Sequence, residues 1–118
     1  MEFTADDELL TEIYDLLYFL GLRATRTYFF HTSFAVFLSV KNRDRLLLVT
    51  KWLYPDVARH YATNWNAVER NIRTAITAVW RENREGLSEL AGYTLQKKPT
   101  PSQFLAILVK ALDEDKAS

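Results

Sequence analysis

Apolar positions recur with helical spacing from the start of the chain. Leu9, Leu10, Ile13, Leu16, Leu17 and Leu20 gather on one side of a repeat of about 3.6 residues, and Gly21 stands where that helix would stop. Asp6, Asp7 and Glu8 suit its first turn, where negative charge meets the positive end of the helix dipole. From Tyr28 to Val40 the chain is apolar nearly all round, with Phe30, Phe34, Phe37 and Leu38 on one face. Its aromatic and β-branched content would also suit a strand, but its length favours a buried helix. A third helix is expected to carry Leu46, Leu47, Val49, Trp52 and Leu53, with Asn42 or Asp44 as its cap.

Pro55 then interrupts the chain and is well placed as the first residue of a short helix through Tyr61. A longer helix is predicted from about Ala67 to Asn83, and a short one around Leu87 to Ala91. A polar link, Gln96-Lys97-Lys98-Pro99, leads to the last helix. There Thr100 is the expected N-cap, Pro101 the first helical residue and Gln103 the reciprocal capping-box partner, ahead of a stripe of Phe104, Leu108, Ala111 and Leu112. With three glycines, three prolines and no repeat, the pattern predicts an all-α fold. It should be a compact bundle of about six to seven helices, forming one domain over residues 1–118.

The most informative stretch is Pro55 to Arg84, PDVARHYATNWNAVERNIRTAITAVWRENR. It reads as a short helix, a tight polar turn at Thr63-Asn64-Trp65-Asn66 and a long helix, the plan of a helix-turn-helix. Ala58 supplies the small residue needed where the helices cross, and Val57, Tyr61, Val68 and Ile72 can fill the wedge between them. Trp65 is expected to pack under the turn. At about 100° per residue, Val68, Ile72, Ala75 and Val79 fall on one side of the long helix. Asn66, Arg70, Arg73, Thr77, Arg81 and Arg84 fall on the opposite side, within roughly 80° of arc.

Composition sharpens this reading. Hydrophobic residues at 48% and charged residues at 25% fit a globular chain rather than a disordered one. The absence of cysteine excludes disulfides and thiolate metal sites. The apolar run at residues 28–40 is shorter than the ~20 residues of a membrane helix, and no basic, apolar leader opens the chain. The expected location is cytoplasmic. Net charge is zero, but residues 1–22 hold six acids and no Lys or Arg, whereas residues 23–84 hold eleven Lys or Arg against four acids. A basic middle between acidic ends can present a positive face to phosphate, because the local field matters more than the total.

Arginine pairs bidentately with guanine O6 and N7 in the major groove, so Arg70 and Arg73 are candidate base readers on double-stranded DNA, with Asn66 and Thr77 on the same stripe. The plain alternative is four solvated arginines. Glu69 can accept from cytosine N4, or serve as a capping-box acid if Asn66 is the N-cap; Asn64 is the other candidate cap. Lys51, Arg59 and His60, before the turn, and Arg81 and Arg84, further along the stripe, are candidate phosphate contacts. Lys97 and Lys98 are read as a solvated loop. Enzyme chemistry finds little footing: His31 and His60 lack metal-ligand spacing, and neither a glycine-rich phosphate loop nor a nucleophile motif occurs. No cofactor or metal is expected, and His31 is read as a satisfied core histidine.

Leu53-Tyr54-Pro55-Asp56-Val57-Ala58, then Val68-Glu69-Arg70-Asn71-Ile72-Arg73-Thr74-Ala75-Ile76, then Gly92-Tyr93-Thr94 and Lys98-Pro99-Thr100 carry a resemblance. They resemble the C-terminal effector domain of the stage-zero sporulation protein A family of transcription factors. The likeness is close from about Thr50 onward and traceable back to about Leu9. It implies an all-helical fold, binding to a short box with a guanine-cytosine core, and side-by-side pairing on tandem boxes. The family's base-reading glutamate and arginines fall on Glu69, Arg70 and Arg73, and the polar residue opening its recognition helix on Asn66.

The family's regulators carry a phosphorylatable receiver domain ahead of this one, for which 118 residues leave no room. The initiator Met1 and acidic start favour a naturally short chain over an excised domain. Gly86 and Ala91 stand where the family commonly has a polar residue and an aromatic, in the segment expected to touch the RNA polymerase sigma subunit. The link before the last helix is also shorter. The reading is a DNA-binding transcription regulator that needs no phosphorylation, self-associates weakly on tandem sites and meets no membrane. The rival is a stand-alone interaction protein that pairs with a full-length regulator of this type; such an adaptor has no need of Arg70, Arg73, Thr77 and Arg81 on one face.

Overall fold

The computed structural model describes residues 4–117, and side chains through Asp113. The chain folds into α1 (Ala5–Phe19), α2 (Thr27–Lys41), a 3-10 helix (Arg43–Leu47), α3 (Val49–Trp52), α4 (Tyr54–His60), α5 (Trp65–Ala91) and α6 (Pro101–Ala117). Five of these are α-helices of seven residues or more, α3 is a single turn, and no strand occurs among the described residues. The fold is all-α, as the apolar pattern predicts.

α1 begins with a capping box: the Thr4 amide donates to Asp7 Oδ2 and the Asp7 amide donates to Thr4 Oγ1, both at 3.1 Å. It buries Leu9, Ile13 and Leu17. Gly21 follows at φ +93°, and a Cβ there would lie 2.7 Å from Glu82 Cβ. Glycine is thus required twice, for the left-handed turn and for the close approach to α5. α2 is a helix, not a strand, and occupies the middle of the bundle against α1, α4, α5 and α6. Its polar groups are satisfied locally, with Ser33 Oγ donating to the Phe29 carbonyl (2.6 Å) and Ser39 Oγ to the Ala35 carbonyl (2.8 Å). His31 is buried, and its Nδ1 lies 2.9 Å from Asn71 Nδ2 on α5. The Asn71 amide therefore donates to a neutral ring, and burial pushes the His31 pKa below its ordinary value.

The expected third helix is broken in two. Asn42 caps only the 3-10 turn, accepting from the Asp44 amide, and Leu48 leaves helical geometry (φ −153°, ψ 80°) between that turn and α3. Leu46 to Val49 are four consecutive apolar residues, which no single helix face can bury together. Leu53 goes fully into the core, while Leu47 and Trp52 stay exposed.

α5 packs its inner face on α2, α4 and α6. Asn83 leaves helical geometry (φ −158°, ψ 58°), so the long helix and the short one expected around Leu87 meet at a sharp kink. Asn83 makes the break affordable by bonding on both sides: its amide donates to the Phe19 carbonyl and its Oδ1 accepts from the Gly86 amide, each at 2.9 Å. α6 opens with the predicted capping box, Thr100 and Gln103 exchanging backbone-to-side-chain bonds of 2.9 and 3.2 Å. Among the described residues no helix is long and apolar enough to cross a membrane.

Candidate nucleic-acid interface

α4 and α5 make the helix-turn-helix, with the turn at residues 61–64. α4 begins one residue early, with Tyr54 ahead of Pro55, and Ala58 is buried at the helix crossing. Val57, Val68 and Ile72 are fully buried in the wedge. Tyr61 is only partly covered, and its hydroxyl donates to the Phe30 carbonyl at 3.2 Å. Ala62 sits in the left-handed region at φ 52°, a conformation that costs a non-glycine residue about 1–2 kcal/mol. The Thr63 amide closes the turn onto the Ala58 carbonyl at 2.9 Å.

Asn64, not Asn66, is the N-cap of α5, its Oδ1 accepting from the Ala67 amide at 2.9 Å. Trp65 is the first helical residue and is 43% exposed, so it does not pack beneath the turn as expected. The cap assignment changes the meaning of Glu69. Three residues past Asn64 is Ala67, so Glu69 has no capping-box partner and instead faces Arg73, with Oε1 3.5 Å from Arg73 Nη2. An exposed pair of this kind is worth about 0.3–0.5 kcal/mol and opens readily.

The two-sided character of α5 is complete. Val68, Ile72, Ala75 and Val79 are buried; Asn66, Arg70, Arg73, Thr77 and Arg81 are all exposed. Arg84 is exposed too, but it lies past the Asn83 kink with its guanidinium 4.8 Å from the Trp80 ring centroid. The arginines are not wholly without acids nearby: Arg73 has Glu69, and Arg81 Nε donates to Glu82 at 3.1 Å. The Arg70 side chain makes no hydrogen bond or ion pair among the described residues.

Before the turn, Arg59 pairs with Asp56 at 3.0 Å, and His60 stacks on Phe34 with centroids 4.0 Å apart. Lys51 lines a cavity with Asn42, Asp44, Arg45, Leu47, Trp52 and Asp56. Asp56 also accepts from Arg45, and that hydrogen bond is the main reason its carboxyl is held below the usual value. Here one carboxylate, Asp56, serves both Arg45 and Arg59, whereas on the outer face of α5 Arg73 and Arg81 each have an acid and Arg70 has none.

Neighbouring elements add residues that periodicity along one helix cannot reveal. Arg26, the N-cap residue of α2, and Tyr28 line a cleft of about 480 Å³ with Arg70, Arg73, Thr74, Thr77, Ala78 and Arg81. On the other flank Lys98 Nζ donates to Thr77 Oγ1 at 3.3 Å, so Lys98 belongs to this surface rather than to a merely solvated loop. Beneath it, Tyr54 is fully buried with its hydroxyl unbonded among the described residues. Burial, with help from the Glu69 charge and against that of Arg73, pushes its pKa up to about 12.

The outer face of α5 is therefore cationic and rich in donors, mounted on a buried inner face, with a compact turn setting its start. The family described as sporulation initiation factor Spo0A, C terminal, matches residues 13–112, from the middle of α1 into α6. That is a DNA-binding effector domain family rather than an enzyme family. The chain belongs to the Spo0A C-terminal family and is a sporulation-regulator type of DNA-binding domain.

Proposed function

We propose that this chain is a transcription regulator that reads a short duplex box by laying α5 in the major groove. Asn66, Glu69, Arg70, Arg73 and Thr77 face base edges, and Lys51, Arg59, His60, Arg81 and Arg84 meet phosphates. One observation carries the reading: every stripe residue from Asn66 to Arg81 is exposed while the opposite face of the same helix is buried. Arg70, without an internal partner, is free to pair with a guanine. Arg73 gives up only a weak bond to Glu69 to do the same.

Binding needs no phosphorylation of this domain, and two copies sit side by side on tandem boxes. Pairing is weak, because among the described residues the exposed side chains of α6 are Gln103, Ala106 and Lys110, so a tandem site must supply the local concentration. Contact with the RNA polymerase sigma subunit would use the segment after Asn83, where Gly86 is buried against the Asn83 side chain and Ala91 is buried. The decisive experiment is selection from a randomised duplex pool, followed by competition titrations of the recovered box against a scrambled one. Wild-type protein should prefer the box, and Arg70→Ala and Arg73→Ala should each erode that preference. Unchanged preference in both variants would remove the recognition assignment.

A further inference from the structure

Most cations of the basic middle segment are matched by a carboxylate. Lys41 pairs with Asp6, Arg43 with Asp113, and Arg45 and Arg59 share Asp56. Arg26 is different. It is exposed at the start of α2, and its side chain makes no hydrogen bond or ion pair among the described residues. It nevertheless lines the cleft along α5 that also holds Arg70, Arg73, Thr77 and Arg81, and no carboxylate lines that cleft. Like charges converging from two helices raise each other's energy unless an anion lies between them.

Resting on the reading of α5 as the duplex reader, we infer that Arg26 is an additional arm of the DNA interface. It binds a backbone phosphate beside the base pairs that Arg70 and Arg73 face, with the Tyr28 hydroxyl as a second donor to the same strand. The cleft has the lining and the placement for this role. It runs along one flank of α5, as a strand backbone does beside a helix lying in the major groove, and guanidinium pairs with phosphate bidentately. Such a contact positions the protein without reading sequence. Arg26 thus differs from Arg70 in kind: removing it weakens every duplex equally.

The test measures dissociation constants of the full chain on the selected box and on a scrambled duplex, across a series of potassium chloride concentrations. Each phosphate contact contributes about 0.9 to the slope of log K against log salt on B-DNA. Arg26→Ala should flatten that slope by about this amount and weaken both duplexes by the same factor, leaving the preference for the box intact. Arg26→Lys, which keeps the charge, should restore the slope. Since Arg26 is exposed and unpaired, the thermal melt of both variants should match wild type, and this separates lost contact from lost fold.

An unchanged slope in Arg26→Ala would overturn the inference, as would loss of preference for the box with the slope intact. Inorganic phosphate titrated into the free protein gives the other arm. Saturable binding that Arg26→Ala abolishes, with the DNA slope unchanged, would assign the cleft to a free anion and also overturn it. The underlying reading fails by a different sign: wild-type protein that shows no preference for any duplex refutes base reading by α5, whatever the Arg26 slope.

Discussion

The two faces of α5 share one backbone and are held to opposite tasks. Inward, Val68, Ile72, Ala75 and Val79 are buried, and a fully buried large aliphatic side chain contributes about 1.5–3 kcal/mol. Outward, Arg70, Arg73, Thr77 and Arg81 are exposed, and the pairs they make with Glu69 and Glu82 contribute about 0–1 kcal/mol each. Stability is thus concentrated on one side and the proposed recognition on the other. The arginine face should therefore tolerate alteration with little effect on folding, and on the proposed reading such a protein can change its box without rebuilding its core.

The strongest way to break this division is to strike the inner face. Ile72→Ala should cost about 2–5 kcal/mol, visible as a lower urea midpoint at unchanged slope. Under conditions where the variant is still folded it should keep the preference for the box. A variant that folds as well as wild type would mean that α5 is not anchored where the structure has it. On the outer face the effect moves to DNA: Arg70→Ala and Arg73→Ala should each lose about 1–3 kcal/mol of discrimination, with stability within about 0.5 kcal/mol of wild type. Should either of them unfold the protein instead, the two faces are not separable.

This contrast also explains what the sequence made legible. The helical period of α5 stands out because its apolar and charged residues alternate at full contrast, and the capping box at Thr100 follows a short-range rule. Residues 42–53 offered no such contrast: Leu46, Leu47, Leu48 and Val49 give no period, and packing alone decides that Leu53 is buried and Leu47 is not. The α5 cap was ambiguous because Asn64 and Asn66 satisfy the same local rule, and only the turn through Ala62 selects Asn64. Arg26 and Lys98 could not be found at all from one helix's spacing. They join the surface through the packing of α2 and the link before α6 against α5.

The turn provides a smaller test, one that acts on the placement of α5 rather than on either face. Ala62 holds a left-handed conformation that glycine adopts without the Cβ clash. Glycine also loses more freedom on folding, which offsets part of the gain. Ala62→Gly should therefore stabilise the protein by up to about 1 kcal/mol, read as a higher urea midpoint, and leave DNA preference unchanged. A loss of stability would mean that the turn does not hold the left-handed geometry.

The smallest effect lies at the seam between the faces, where Asn71 reaches from α5 to His31 on α2. Burial lowers the pKa of His31 in the folded state, so the native ring stays neutral where an unfolded one, with a pKa near 6.5, takes up a proton. The unfolded state then binds more protons, and stability falls as pH drops below about 6.5, levelling off only below the folded value. Asp56 does not confuse this window. Asp56, held low mainly by Arg45, contributes stability that is lost only as pH falls below its ordinary value of 3.8. Between pH 7.5 and pH 5.5 the urea midpoint should therefore decline more for the wild-type chain than for His31→Gln, which keeps a polar group for Asn71 but cannot titrate in this range. Equal declines in both proteins would mean that His31 is not the group being protonated, and that the junction of α2 with α5 does not depend on a neutral ring.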